Sequence, residues 1–218
     1  MLTHLPLFSE RFLRAHFDVD FAAWREAEDP RVLAALADWA GKLRQKETSA
    51  EDGFINLFFG ALWGYTPSGH GPAADGFTRW KTYPVQGAGA GGGTGQADLA
   101  LGWFGRKDQP AIAQVLCEFK DIRSDLDAPQ HRKGSTRSPV RQCADYLRSA
   151  AAALHGWEGV EPWWGLVTDM NEIRLYWRNR MPGPCLRFVV QPTTLDPAVP
   201  LVRANDEDAA FQRFLLCR

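Results

Sequence analysis

Val115-Leu116-Cys117-Glu118-Phe119-Lys120 is an apolar run that ends in Glu-x-Lys. Side chains two apart on a strand point to the same face. Glu118 and Lys120 therefore emerge together where the strand stops being apolar. Gln96-Ala97-Asp98-Leu99 lies twenty residues upstream, the spacing that a short hairpin would produce if the two strands pair. Asp98 then joins Glu118 and Lys120 at one place.

Two carboxylates and a lysine in that arrangement suit a divalent metal and an activated water. Magnesium prefers hard oxygen ligands and keeps several of its waters, so two carboxylates plus a backbone carbonyl suffice as protein ligands. A neighbouring lysine can orient the water or stabilise charge developing on a phosphate. The plain alternative is that charged residues at a strand end are surface residues, and an E-x-K match alone is weak.

The rest of the chain supplies a frame for these strands. The first 65 residues or so read as helical. Asp29-Pro30 pairs an N-cap with Pro at the first helical position, and Val32, Leu33, Leu36, Trp39 and Leu43 follow at helical spacing. A second helix is expected from Ser49, carrying Phe54, Leu57, Phe58, Ala61 and Leu62 on its apolar stripe and ending at Gly64-Tyr65-Thr66-Pro67. Strands are expected over 77–84, 97–104, 111–120, 163–168, 173–177 and 187–191. Ser138-Pro139 opens a helix by the same rule as Asp29-Pro30, and 206–216 has a helical pattern. This order predicts an α/β fold, a mixed central β-sheet flanked by helices with a helical N-terminal segment.

Several classes are disfavoured. No apolar run approaches the ~18–20 residues of a membrane span, and the N-terminus lacks the pattern of a secretory signal, so a cytoplasmic location is expected. Cys117, Cys143, Cys185 and Cys217 form no CxxC pair, which argues for free thiols rather than zinc or disulfides. The five histidines show no metal-ligand spacing, and the nine tryptophans read as core or sheet-face residues. The Gly87–Gly95 run leads into a strand and lacks Gly-Lys-Ser/Thr, so a mobile hairpin loop is expected rather than a phosphate cradle. Net charge is −1, but Arg123, His131, Arg132, Lys133, Arg137, Arg141 and Arg148 cluster along one stretch and suit a phosphate backbone. Asp121, Asp125, Asp127 and Asp145 offset part of that charge, so a solvated, self-neutralising loop is the alternative.

Gln142 and Tyr146 stand at i and i+4 on the helix after these strands and share a face, with Ser138 and Ser149 near the same stripe. Asp98, then Glu118-Phe119-Lys120, then Gln142-x-x-x-Tyr146 resembles the PD-(D/E)xK nuclease superfamily, in the branch with a Q-x-x-x-Y element on the following helix. The chain is most similar to the N-terminal nuclease domain of type IIG restriction-modification enzymes. Further motifs carry the likeness: Lys46-Glu47-Thr48, Leu62-Trp63-Gly64-Tyr65, Ala97-Asp98-Leu99-Ala100-Leu101-Gly102, Ser138-Pro139-Val140-Arg141 and Glu172-Ile173-Arg174-Leu175-Tyr176. They span residues 46–176. Ala97 stands where the superfamily's first motif has Pro, and no methyltransferase motif follows, so an excised domain or a stand-alone subunit is expected.

The resemblance implies a Mg2+-dependent DNA endonuclease of restriction or phage defence, with Mn2+ as a substitute ion. Asp98 and Glu118 would be metal ligands, Lys120 the water-positioning cation, and Gln142 and Tyr146 supports of the site or contacts to the scissile phosphate. Glu47, or alternatively Glu51 one turn later, would complete the ligands; either is equally an ordinary helix-start carboxylate. The implied partners are double-stranded DNA, a methyltransferase or specificity domain or subunit, and a transient homodimer on DNA. The implied organisation is a helical segment packed on the core over 1–45, the nuclease core over 46–192, and a C-terminal extension or connector over 193–218. The contrasting expectation is a catalytically silent module that docks DNA or assembles subunits.

Overall fold

A helix starts at Asp29-Pro30, one residue earlier than the pair predicts: Glu28 is the N-cap without a side-chain bond, and the Asp29 carboxylate goes to Arg213 instead of capping. This helix, α2, runs Asp29–Lys42 with Pro in its first turn. It follows α1, Glu10–Ala27, which Ser9 caps by accepting the Phe12 N–H at 3.3 Å. The computed structural model describes residues 6–43, 47–68, 77–104, 111–130, 136–153 and 161–218. The last helix, α5 (Glu207–Leu216), is capped by Asp206, which accepts the Ala209 N–H at 2.9 Å. Its Phe211 and Phe214 pack edge-on against Phe21, and Phe214 also meets Phe17 and Trp24 of α1. Arg213 of α5 is buried and reaches Asp29 at the start of α2 with both its Nε (2.5 Å) and Nη2 (2.8 Å).

The second predicted helix departs from expectation in its winding. α3, Glu47–Phe54, runs straight into π-helical turns over Ile55–Leu62. The wider turn gathers Phe54, Phe58 and Phe59 into the core, with ring centroids 4.4 Å apart for Phe54 and Phe58. It also lets the Ile55 carbonyl accept a hydrogen bond from Arg79 Nη1 at 2.8 Å. A π-turn holds where the surrounding structure satisfies its backbone.

Six strands follow: β1 (Phe77–Val85), β2 (Gly95–Trp103), β3 (Ile112–Phe119), β4 (Trp164–Thr168), β5 (Glu172–Trp177) and β6 (Cys185–Val189). They lie in chain order in one sheet. β3 and β4 are parallel and every other pair is antiparallel, so the mixed sheet flanked by helices is present. The last strand sits two residues earlier than the pattern of 187–191 suggests.

The parallel pair needs a crossover, and α4 (Pro139–Ala153) is the helix within it. One sheet face carries Leu99, Leu101, Cys117 and Phe119 into the core shared with α1, α2, α3 and α5. The other carries Ala100 and Leu116 against Tyr146 and Leu147 of α4.

Gly165 is what lets α4 lie close on β4. A Cβ there would stand 2.9 Å from Cys143 Sγ and 3.1 Å from Leu147 Cδ1. Gly165→Ala is therefore expected to lower stability by about 1–3 kcal/mol, the usual cost of overpacking, as read from a urea melt; an unchanged midpoint would mean α4 can shift without cost.

The described tryptophans divide between the core and half-buried positions, several of them on the sheet. Of those described, Trp24 and Trp39 are buried, while Trp177 is 37% exposed and the others are half-buried. Apolar spacing marks a face and does not fix its depth. Cys117, Cys143 and Cys185 are free and buried, and Cys217 is free and half-buried. Among the described residues no helix is long and apolar enough to cross a membrane.

Candidate functional site

The ladder between β2 and β3 ends at Leu99↔Cys117. One step further Asp98 comes opposite Glu118, and there side-chain chemistry replaces backbone pairing. Asp98 Oδ2 accepts the Phe119 N–H at 2.6 Å. β3 meanwhile keeps its pairing to β4 as far as Phe119↔Thr168, and the Lys120 N–H donates to the Thr168 carbonyl at 2.8 Å. The sheet thus splits between β2 and β3 where the two acids stand. On the far side of β2, Thr82 interrupts the register at φ 58°, a left-handed conformation rare for a β-branched residue.

Like charges facing each other across an antiparallel pair repel. Lys120 offsets that repulsion: its ammonium donates to Glu118 Oε1, and both side chains are buried. Residues at i and i+2 of a strand share a face, so this ion pair follows directly from the Glu-x-Lys spelling.

α4 roofs this face. Ser138 caps it, accepting the Arg141 N–H at 3.2 Å, and Gln142 Nε2 donates to the Tyr146 hydroxyl at 2.8 Å. Burial pushes the Tyr146 hydroxyl above its usual range, and the Glu118 and Asp98 carboxylates push it the same way against the Gln142 hydrogen bond. Burial likewise raises the thiols of Cys117 and Cys143 well up, and the same two carboxylates add to it. The structure therefore brings Asp98, Glu118, Lys120, Gln142 and Tyr146 together. Cys143, whose Sγ lies 3.5 Å from the Leu116 carbonyl oxygen, is a neighbour that sequence reasoning missed; its place one residue after Gln142 on the buried stripe was the available signal.

The helix carboxylate is less simply placed. Glu47 lies in the first turn of α3, and its side chain falls outside the described residues. Glu51 is held by Lys81 of β1, at 3.0 Å, and Asp52 reaches the same ammonium at 2.7 Å. Lys81 stands opposite Leu99 and so shares its face, the one away from Asp98. Asp52, Lys81 and Leu99 border one cleft there of about 370 Å3.

Of the basic stretch, His131, Arg132 and Lys133 lie outside the described residues. Arg137 and Arg148 both pair with Asp145, Arg137 at 2.9 Å. Arg123 and Arg141 are exposed. The glycine run makes a tight turn in which Gly89 N–H donates to Gly93 O at 2.7 Å, with Gly91 and Gly92 at positive φ.

The Glu172-Ile173-Arg174-Leu175-Tyr176 motif builds an ion network beside the site. Glu172 takes Arg187 Nε at 2.7 Å and also Arg174, which reaches Asp127 at 2.9 Å. Burial pushes the Glu172 carboxyl up, but the Arg187 and Arg174 guanidiniums outweigh it and hold the group below the usual glutamate range. A carboxyl depressed in the native state lends stability above its unfolded value, and that stability drains as pH falls through the native one. Glu172→Gln is therefore expected to lose less stability than wild type on acidification from about pH 5 to 3, measured by urea melts; parallel losses would contradict the assignment.

Among the described residues no group of three or more His, Cys, Asp and Glu side chains is placed to hold a metal ion. The donor chemistry nonetheless fits a hard cation: two carboxylates on one face, one already carrying the positive charge of Lys120. Comparison with family models, curated proteins and solved structures finds no match to this chain.

Proposed function

We propose that the chain is a Mg2+-dependent DNA endonuclease, a phosphodiester hydrolase of restriction or phage defence. The observation that carries this reading is the facing of Asp98 and Glu118 at a split in the sheet, with the Lys120 ammonium on Glu118. Two facing carboxylates, Glu118 buried and Asp98 half-buried, cost stability, and such arrangements cluster where chemistry needs them.

Asp98 and Glu118 would hold the metal, which when bound would supply acidity to a water and neutralise phosphate charge. Asp98 is kept in place by the Phe119 N–H, which fixes the direction of its carboxylate. Lys120 would align the attacking water in line with the leaving oxygen and face the growing negative charge. Tyr146 is a neutral hydrogen-bond donor at neutral pH, as an ordinary tyrosine is, and burial extends that state to higher pH. With Gln142 it forms a polar edge for a non-bridging phosphate oxygen. Double-stranded DNA, a methyltransferase or specificity part, and a transient second copy on the duplex are the partners this reading calls for.

The burial of Glu118 and Lys120 favours a second reading, a silent module in which the pair is a strut. Supercoiled-plasmid cleavage in magnesium separates them. Lys120→Ala is expected to fall by about 10²–10³-fold, the usual loss for a removed transition-state contact, and equal rates in the two proteins would sink the mechanism. Millimolar magnesium should also raise the melting temperature of wild type and leave Glu118→Ala unmoved.

A further inference from the structure

Lys120 is 5% exposed and its ammonium sits on the Oε1 of a Glu118 that is 1% exposed. Both belong to the end of one strand, so the contact is built into β3 and needs no loop to close. In a surrounding this dry, each charge holds the other strongly. Asp98 adds a second carboxylate to the same face. The lysine thus already meets the demand that two facing carboxylates make for a cation. A divalent ion approaching Glu118 finds it carrying its own counter-charge, with a like charge beside it.

We propose that Lys120 is an internal competitor for the metal, and that loading the site requires its ammonium to leave Glu118. This rests on the metal-dependent reading above. The exchange balances without proton or electron transfer: one Glu118–ammonium contact breaks, and one contact from Glu118 to the divalent ion forms. The released ammonium is then the group that turns to the water and the phosphate. Lys120 is thereby withheld from the reaction until the metal is in place, and metal affinity is set by a difference between two cations.

The test is a calorimetric titration of the full chain with Mn2+ alone, without DNA, for wild type, Lys120→Met, Lys120→Arg and Glu118→Gln/Lys120→Met. Lys120→Met is expected to bind Mn2+ at least about tenfold more tightly than wild type, since a nearby like charge is gone. Lys120→Arg should bind no more tightly than wild type, and the double variant should lose the gain. Lys120→Met binding equally or more weakly, with wild-type binding intact, overturns the competition and leaves the metal reading standing. No binding in any of the four overturns the metal reading and the competition with it.

Should Lys120→Met fail to fold, wild type decides. Amine acetylation followed by peptide mass spectrometry is expected to label Lys120 several times faster at saturating Mn2+, with exposed Lys42 as the reference. Unchanged labelling at saturation overturns the proposal.

Discussion

Asp98→Asn is expected to lose plasmid cleavage by about 10²–10³-fold or more while unfolding at no lower temperature than wild type. The asparagine keeps an oxygen where Asp98 Oδ2 accepts the Phe119 N–H at 2.6 Å, so the strand end stays tied. What disappears is one of two negative charges that face each other one step beyond Leu99↔Cys117. Removing a like-charge neighbour relieves repulsion, so stability holds or rises as activity falls. That trade is the mark of a residue kept for chemistry rather than for folding. The same substitution should abolish the rise in melting temperature with magnesium. A variant that cleaves normally would show that the Asp98 charge is not needed for cleavage, and one that merely melts early would show that Asp98 serves the fold.

Arg213→Ala carries the largest structural effect. Arg213 is 1% exposed and forms a two-pronged pair with Asp29 at 2.5 and 2.8 Å. It also donates to the Leu201 and Arg203 carbonyls at 2.7 and 3.0 Å. Truncation leaves those carbonyls and the Asp29 carboxylate without their donor, and breaking a buried pair from one side typically costs about 3–5 kcal/mol. For a chain of this size that is a fall of roughly 10 °C in melting temperature. Thermal unfolding by circular dichroism checks it; a change under ~1 kcal/mol would mean water replaces the guanidinium. Arg213→Ala/Asp29→Ala should recover part of the loss, because the orphaned carboxylate goes too.

The elements of the sheet were legible because each strand carries an apolar run bounded by turn residues. Ser138-Pro139 marked a helix start by its cap, while Asp29-Pro30 marked one by its proline, since Glu28 is the N-cap and Asp29 pairs with Arg213. Gln142 and Tyr146 met as their i,i+4 spacing required. Other features depend on partners distant in sequence and left no local trace. The π-helical turns after Phe54 hold through Arg79, 24 residues away, which takes up the Ile55 carbonyl. Lys81 decides the contacts of Glu51, where local reasoning could see only a helix-start carboxylate. The left-handed Thr82 is invisible in a strand-like sequence. Glu-x-Lys announced a shared face, but not that the two side chains would be bonded and buried together.

Strand order in this sheet follows chain order throughout, so most pairings join near neighbours. Such contacts close short loops and form fast. The layer on the opposite face is another matter: Arg213 and Asp29 are 184 residues apart, and their meeting waits for nearly the whole chain. The hairpins can zip early while Phe17, Phe21 and Trp24 of α1 keep their ring faces in water until α5 arrives. During synthesis those faces are the surface most open to aggregation or to a chaperone's grip.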